Sequence, residues 1–191
     1  MVDDGTAGLS ASARWPACVG LGGNLGDVLA NMAAAVAAMH TWPGTRVLSV
    51  SSVFETRPVG AEGPNYLNAV AVLETALAPH ELLRALLALE LAHGRLRPFH
   101  NAPRTLDLDL LCHGDAQLST PTLTLPHPRM HERAFVLCPL NEALAALVAH
   151  EVAPALASLA LPCLPGAAEH ARVAAAQGIT RKCGFPVTFG V

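Results

Sequence analysis

Apolar side chains recur along the chain at two spacings, which predict strands and helices in alternation. Short apolar or alternating runs bounded by turn residues are typical of strands, whereas apolar residues three and four apart are typical of helices. The predicted strands are 17–21, 46–56, 66–73 and 105–111. The predicted helices are 28–40, capped by Asp27 or Asn24 and stopped by Trp42-Pro43-Gly44, and 79–94, opened by Pro79 and closed by Gly94.

The order of these elements is strand, helix, strand, strand, helix, strand. Because that order is the split βαβ arrangement, the sequence predicts an α+β, ferredoxin-like βαββαβ sandwich with helices packed on one face of an antiparallel sheet. A further helix is expected to begin near His131 and to be interrupted or restarted at Pro139. We therefore predict a flexible leader at 1–14, one domain at 15–150, and a C-terminal helical extension at 151–191 whose structure the pattern does not specify.

Composition and charge exclude several classes of protein. The chain has 191 residues, of which 52% are apolar and 14% charged, as in one compact globular domain. A net charge of −3 provides no basic field, so nucleic acid is not an expected partner. Lys182 is the only lysine and follows no glycine-rich turn, which excludes a P-loop. The longest stretch without a charged residue or histidine, 152–168, contains three prolines and predicts no membrane span.

Cysteine usage indicates a reducing compartment. The five cysteines include no C-x-x-C pair, so they predict neither a disulfide framework nor a zinc knuckle. Asp3 and Asp4 precede any basic residue, which is not the pattern of a signal peptide. We expect a cytoplasmic protein.

The strand predicted at 105–111 alternates leucine with aspartate. Because residues two apart share a face, the leucines should face the core while Asp107 and Asp109 project together from the other face. Two neighbouring carboxylates repel each other unless a cation or proton lies between them, and oxygen ligands without cysteine favour Mg²⁺ or Mn²⁺. An acidic pair on a solvated strand face is the alternative interpretation.

Arginines surround this acidic pair in the sequence: Arg95, Arg97 and Arg104 precede it, and Arg129 and Arg133 follow it. Guanidinium groups beside metal-binding carboxylates are what phosphoryl transfer requires, although such a loop can also be a solvated surface. No serine or cysteine with an adjacent base stands out, which favours direct transfer between two bound substrates.

Three other motifs contain candidate site residues. His127, between two prolines, is either structural or a phosphate contact; Pro128 opposes a zinc site shared with His131. The glycine-rich segment 20–26 fails the G-x-G-x-x-G spacing and predicts a tight strand-to-helix turn near the site. Tyr66 and Asn68 share a strand face, and a ring beside an amide suits a flat heterocycle, although such a pair is often structural.

Together these motifs resemble the 6-hydroxymethyl-7,8-dihydropterin pyrophosphokinase family of folate biosynthesis. The matching blocks occur in the family's order across residues 17–148, and the run Pro-Arg-Thr-Leu-Asp-Leu-Asp-Leu is highly specific. The blocks are Gly22-Gly23-Asn24-Leu25-Gly26, Thr56 with Pro58-Val59-Gly60, 64–69, Glu90 with Gly94-Arg95-Leu96-Arg97, 103–111, and Pro126-His127 with Arg133 and Phe135.

The resemblance implies Mg²⁺-dependent transfer of diphosphate from ATP to a hydroxymethyl dihydropterin by a monomer, with AMP as the other product. It implies that Asp107 and Asp109 bind two Mg²⁺ ions and act in catalysis with Arg95, Arg97 and Arg104. The implied ATP contacts are Glu90, Arg95, Arg97, Arg104, Leu110, Thr124, His127 and Arg133. The implied pterin contacts are Thr56, Pro58, Val59, Tyr66, Asn68 and Phe135, with the two aromatic rings on either side of the pterin.

The chain departs from the family pattern in four places. Asn101-Ala102-Pro103-Arg104 stands where the family often has Trp-Gly-Pro-Arg. Arg57 stands where a proline is common, and Pro128 where an aromatic residue is frequent. Nothing beyond residue 150 matches the family pattern. The loops 57–65 and 95–103 are expected to act as lids, with looser closure or a seal by Phe99. A metal-dependent phosphohydrolase using Asp107, Asp109 and His127, or a non-enzymatic ferredoxin-like binding module, are the alternative functions.

Overall fold

The computed structural model describes residues 13–58, 63–94, 103–149 and 167–186. The strands are β1 (Trp15–Gly23), β2 (Thr45–Val50), β3 (Val53–Thr56), β4 (Tyr66–Thr75), β5 (Asp107–His113), β6 (Leu118–Ser119), β7 (Thr124–Leu125) and β8 (Thr180–Cys183). The helices are α1 (Val28–Thr41), α2 (Pro79–Ala92), α3 (Ala134–Ala149) and α4 (Ala167–Gln177), with a short 3₁₀ turn at Met130–Glu132 before α3.

The main sheet has the strand order β5-β1-β4-β3-β8, and β2 also pairs with β4. Every pairing is antiparallel. Since β1 follows β4 along its whole length, β2 and β3 share the other edge of β4. This is the split βαβ order, and the ferredoxin-like α+β prediction is confirmed.

The two crossover helices bury their apolar faces on one side of this sheet. Met32 and Met39 of α1 and Leu82 and Leu86 of α2 are fully buried in one cluster with the inward-facing residues of the strands. Leu106, Leu108 and Leu110 belong to the same cluster, as the alternation predicts. Burial of this continuous apolar surface is the main favourable contribution to folding.

Helix α3 covers part of the opposite face of the sheet. Its residues Val136, Leu140 and Leu147 pack with Cys18 of β1 and Val72 of β4 in a second cluster. The sheet is therefore sandwiched between α1 and α2 on one side and α3 on the other. The part of this second face that α3 leaves uncovered contains the cavity described below.

Local chemistry explains where α1 and α2 begin and end. Asp27 caps α1 by accepting a hydrogen bond from the Ala30 amide at 3.0 Å. Glu81 accepts one from the Ala78 amide at 2.9 Å at the start of α2. Gly44 and Gly94 follow the two helices with positive φ angles of 66° and 75°, which glycine adopts without strain.

Two predicted boundaries are wrong in detail. The strand predicted at 46–56 is interrupted at Ser51 and Ser52, whose polar groups bond to neighbouring segments, including Val70 of β4 and Glu142 of α3. The interruption predicted at Pro139 does not occur, because α3 continues through this buried proline. Losing one backbone hydrogen bond is offset there by tertiary packing, which a single-sequence rule does not include.

The described part of the C-terminal extension forms α4 and then β8, a strand that the sequence analysis missed. Strand β8 pairs with β3 and extends the sheet by one strand. Lys182 forms an ion pair with Glu55 of β3 at 2.8 Å. The domain boundaries at residues 14 and 150 stay predictions, since residues 1–12 and 150–166 lie outside the described residues. Within the described ranges, no helix is long and apolar enough to cross a membrane.

We expect Leu86→Ala to lower the free energy of unfolding by about 2–5 kcal/mol, because it opens a cavity under a fully buried side chain. Leu91 is the matched control on the same helix: it is 70% exposed, so Leu91→Ala should change stability by less than about 0.5 kcal/mol. Urea denaturation of both variants measures the difference. Equal losses would contradict the assignment of the α2 face that packs on the sheet.

Candidate active site

Asp107 and Asp109 line one cavity on the side of the sheet away from α1 and α2. Their partners across the β1–β5 pairing are Gly22 and Gly20, respectively. Because glycine has no side chain, Gly22 leaves space beside the Asp107 carboxylate, whereas the Leu111 side chain packs over Gly20.

Gly22 forms the floor of this cavity. It pairs with Asn68 of β4 on one side and with Asp107 of β5 on the other. A Cβ atom placed on Gly22 would lie 3.6 Å from the Asn68 side-chain oxygen and 3.7 Å from the Asp107 Cβ. The bare backbone therefore separates an amide from a carboxylate and leaves room for a ligand between them.

The wall beyond Gly22 combines a buried amide with aromatic surface. Asn68 is buried and donates a hydrogen bond from Nδ2 to Oγ1 of Thr56 at 3.0 Å. Tyr66, two residues earlier on β4, and Phe135, in the first turn of α3, line the same cavity of about 550 Å³. Its described lining is Gly22, Thr56, Arg57, Pro58, Tyr66, Asn68, Arg104, Asp107, Asp109, Arg129, Glu132, Arg133, Phe135 and Gln177. A pocket with two rings and a fixed amide suits a flat heterocycle that has polar edges.

Arg104 enters the cavity from the segment before β5. Its Nη1 atom lies 2.8 Å from the Asp107 carboxylate. Its Nε atom is buried and has no hydrogen-bond partner among the described residues. A buried, unpaired guanidinium N–H beside a carboxylate is a donor available for an anionic group.

The glycine-rich turn after β1 holds Arg104 in place. The Asn24 side-chain oxygen accepts a hydrogen bond from the Arg104 amide at 3.0 Å, and the Arg104 carbonyl accepts one from the Asn24 amide at 2.9 Å. Gly23 permits this approach, since a Cβ there would lie 2.8 Å from the Thr105 carbonyl oxygen. The segment is the tight strand-to-helix turn that the sequence predicts, and it positions a cation of the site.

Arg133 provides a second cation at the cavity wall. Its guanidinium carbon lies 5.4 Å from the centre of the Phe135 ring, within cation–π distance. Burial lowers the pKa of Arg133 and repulsion from Arg129 lowers it further, whereas Asp109 and Asp107 raise it. Because a guanidinium remains protonated despite such shifts, Arg133 is a half-buried positive charge facing two carboxylates.

A second cavity of about 410 Å³ adjoins the first at Asp109, which lines both. Leu110, Thr124 and His127 are among its lining residues, with the apolar side chains of Leu83 and Leu87. The cis peptide bond between Leu125 and Pro126 lies just before His127. The site thus has two compartments that meet at one carboxylate, one with aromatic and amide walls and one with largely aliphatic walls.

Burial also changes the protonation of His127. Desolvation lowers its pKa, the Asp109 carboxylate opposes the shift, and the positive charge of Arg133 adds to it. Its Nδ1 atom accepts a hydrogen bond from the Arg129 amide at 3.2 Å. Since Nδ1 is then an acceptor, the neutral ring carries its proton on Nε2, where it can donate to a ligand.

Several site residues implied by the resemblance do not line these two cavities or lie outside the described residues. Glu90 is fully buried, lines neither cavity, and accepts a hydrogen bond from the Leu108 amide at 2.6 Å. Arg95, Arg97 and Val59 lie outside the described residues. Sequence reasoning missed Gly22 and Gln177 as lining residues; strand register would have found the first, but no sequence signal indicates the second.

Among the described residues, the acidic pair is not part of a larger cluster of metal-ligating side chains. In the ranges that the structure describes, no group of three or more histidine, cysteine or acidic side chains comes together. The zinc site considered for His127 and His131 accordingly has no support there.

A ferredoxin-like domain with paired carboxylates, adjacent arginines and an aromatic cleft has the groups that phosphoryl transfer uses. The family model of 7,8-dihydro-6-hydroxymethylpterin-pyrophosphokinase (HPPK) matches residues 18–145. The chain belongs to this family, and the resemblance found from the motifs is confirmed.

Proteins named 2-amino-4-hydroxy-6-hydroxymethyldihydropteridine pyrophosphokinase are similar to about two thirds of this chain. The one from Synechocystis is 48% identical over 126 residues, which cover 66% of this chain and 65% of that protein. The one from Pseudomonas aeruginosa is 46% identical over 125 residues, 65% of this chain and 77% of that protein. A crystal structure of Plasmodium falciparum HPPK-DHPS has a TM-score of 0.51 at 13% identity, covering 69% of this chain and 38% of that one, which supports the fold.

Filling the cavity floor should impair binding without unfolding the protein. We expect Gly22→Val to weaken the affinity for a pterin about tenfold or more, since one methylene too many in a pocket costs about 1–3 kcal/mol of binding free energy, and Gly22→Ala to have a smaller effect. Fluorescence titration with a pterin measures affinity, and thermal melting tests folding. Gly23→Ala is the contrasting variant, expected to lose stability instead because of its backbone clash. Unchanged pterin affinity in Gly22→Val would contradict this location of the pocket.

His127 predicts a pH dependence of stability. Its pKa in the folded protein lies below the ordinary value of 6.5, so the unfolded chain binds the proton first as pH falls. This contribution to the free energy of unfolding is therefore fully present above about pH 7.5 and is lost as pH falls through 6.5 toward the folded-state pKa. In urea denaturation with a chelator present, His127→Asn should lose less stability than the wild type between pH 7.5 and 5.5. Parallel pH profiles would contradict the shift.

Proposed function

We propose that this chain transfers the terminal diphosphate of ATP to 6-hydroxymethyl-7,8-dihydropterin, giving the pterin diphosphate and AMP. The observation that carries the proposal is the pair of cavities that meet at Asp109, one suited to a flat heterocycle and one to a nucleoside. The hydroxymethyl oxygen attacks the β-phosphorus in line as the bond to the α-phosphate oxygen breaks. AMP leaves with that oxygen, and the hydroxyl proton is released to solvent.

The first cavity is assigned to the pterin. Tyr66 and Phe135 supply the two aromatic surfaces for its ring, with Pro58 beside them. Asn68 and Thr56 present polar atoms to the ring edge, and their mutual hydrogen bond fixes the orientation of the amide. Because this amide is held before any ligand arrives, little side-chain entropy is lost on binding. We extend the pterin set to the Val59 backbone on the basis of the family resemblance.

The second cavity is assigned to the adenosine part of ATP, the co-substrate of this family. Leu110 and Thr124 line it, and His127 can donate from Nε2 to the nucleotide. Glu90 is assigned an indirect role, because its carboxylate binds the amide of Leu108 and so holds the strand between the two aspartates.

Asp107 and Asp109 are assigned as ligands of two Mg²⁺ ions. Two carboxylates on one strand face, with no third acidic ligand among the described residues, form an incomplete set, which fits ions that keep waters and take phosphate oxygens as further ligands. When bound, the ions would neutralise charge on the transferred group. Arg104 and Arg133, together with Arg95 and Arg97, would neutralise the remaining phosphate charge.

The same features disfavour the alternative functions. A phosphohydrolase needs no cavity with two rings and an amide beside the carboxylates, and a binding module needs no paired carboxylates beside the unpaired guanidinium N–H of Arg104. We further propose that the enzyme acts as a monomer in the cytoplasm and binds no nucleic acid. Its free cysteines within the described ranges and net charge of −3 support that proposal.

We expect Asp109→Asn to reduce Mg²⁺-dependent AMP formation about 100-fold or more, since the change keeps the shape but removes a metal ligand common to both cavities. The assay contains ATP, Mg²⁺ and the pterin alcohol, and it measures AMP. Asp115→Asn is the matched control, because Asp115 is exposed in the turn after β5, and it should retain wild-type turnover. Substantial turnover by Asp109→Asn would refute the metal assignment.

A further inference from the structure

Gln177, the last residue of α4, lies beyond the part of the chain that matches the family, which ends at residue 145. It nevertheless lines the cavity that contains Asp107, Tyr66 and Phe135. A residue of the C-terminal extension thus contributes to a site whose other described lining residues all lie within the part that matches the family. The question is what its side chain does there.

The Gln177 amide bonds to the backbone on both sides of Arg133. Its Oε1 atom accepts a hydrogen bond from the Ala134 amide at 2.9 Å. Its Nε2 atom donates one to the Glu132 carbonyl at 2.6 Å. The Gln177 side chain therefore bonds to the peptide group before Arg133 and to the peptide group after it.

These two hydrogen bonds add to others that already hold the backbone at Arg133 in place. The Arg133 carbonyl already accepts hydrogen bonds from the amides of Val136 and Leu137, both at 3.0 Å, as the first turn of α3 begins. The Ala134 amide is in that first turn and has no acceptor within the helix, so Gln177 supplies it from 43 residues away. With the peptides before and after Arg133 held, the direction in which its side chain leaves the backbone is set.

That direction matters because of what the side chain faces. The Arg133 guanidinium lies over Phe135 and interacts electrostatically with Asp109 and Asp107. A rotation of the backbone at residue 133 would move this charge away from the carboxylates and would shift the start of α3, which carries Phe135. Both changes would act on the first cavity.

Gln177 is itself held by the strand that follows it. Gly178 turns the chain with a φ of 59°, and β8 then pairs with β3, placing Thr180 opposite Glu55. Arg181 donates a hydrogen bond to the Ser52 hydroxyl, and Lys182 pairs with Glu55. Strand β3 ends at Thr56, so the α4–β8 segment links the polar edge of the first cavity to the start of α3.

We propose that Gln177 is a positioning residue for diphosphate transfer, and that the α4–β8 segment is thereby a functional part of the active site. The inference rests on the proposed function. Gln177 holds the Glu132–Ala134 backbone so that Arg133 points at the reacting groups and Phe135 at the heterocycle. It acts through these residues and makes no step of the chemistry itself.

The test compares Gln177→Leu, which keeps the size but removes both hydrogen bonds, with Gln117→Leu, the same change at an exposed glutamine after β5. We expect kcat/KM for the pterin alcohol to fall about 3- to 10-fold in Gln177→Leu, as for the loss of one to two hydrogen bonds, and to be unchanged in Gln117→Leu. Gln177→Glu, which can still accept from the Ala134 amide, should recover part of the loss. An unchanged kcat/KM in Gln177→Leu would overturn the proposal.

A double-mutant cycle distinguishes positioning from a general structural role. In an Arg133→Ala background, Gln177→Leu should lower kcat/KM by a smaller factor than in the wild type, since the part of its effect that passes through the guanidinium is already lost. The same fold-loss in both backgrounds would overturn the proposal. The wild type in the same assay tests the proposed function by itself: no AMP from wild-type protein would refute that function separately.

Amide hydrogen exchange tests the positioning contact without any activity. Exchange at residues 132–137 should be faster in Gln177→Leu than in the wild type, while exchange in the core of the sheet and the melting temperature stay unchanged. Unchanged exchange at 132–137 would overturn the inference whether or not the wild type forms AMP.

Discussion

The site depends on one constraint of strand register: Gly22, on β1 between β4 and β5, has Asn68 and Asp107 as its direct neighbours. Alternation on β5 sends its leucines into the core beneath α1 and α2, and this burial fixes which face the aspartates share. A shift of one residue would turn the carboxylates toward the helices and the leucines toward the cavity. Core packing therefore enforces the geometry of the acidic pair.

Charge in the site is balanced by elements that lie far apart in the sequence. Arg104 is held by the turn after β1, whereas Arg133 lies at the start of α3 on the other side of the cavity. The carboxylates between them would otherwise repel each other. The same arrangement leaves cationic donors available for phosphate oxygens. The arginines that stabilise the folded protein therefore also prepare it to bind an anionic substrate.

Patterns within single segments were enough to predict the fold class, the acidic pair and its shared face, and the aromatic and amide candidates on β4. These follow from local rules, because strand alternation and helix capping depend on neighbouring residues. The motifs also identified the family, since their residues and order are specific. The same local rules predicted that Asp27 or Asn24 caps α1, and Asp27 does so. They also predicted the glycines that follow α1 and α2.

Which distant residues join these motifs depends on how the whole chain folds. Gly22 acquires its role from its partners on β4 and β5, Glu90 turns inward to the Leu108 amide, and Gln177 reaches the backbone beside Arg133 from 43 residues away. Strand β8 exists because the edge of β3 offers unpaired backbone groups, and α3 passes through Pro139 because packing outweighs one lost hydrogen bond. Such outcomes depend on the free energy of contacts between remote segments, which no local pattern records.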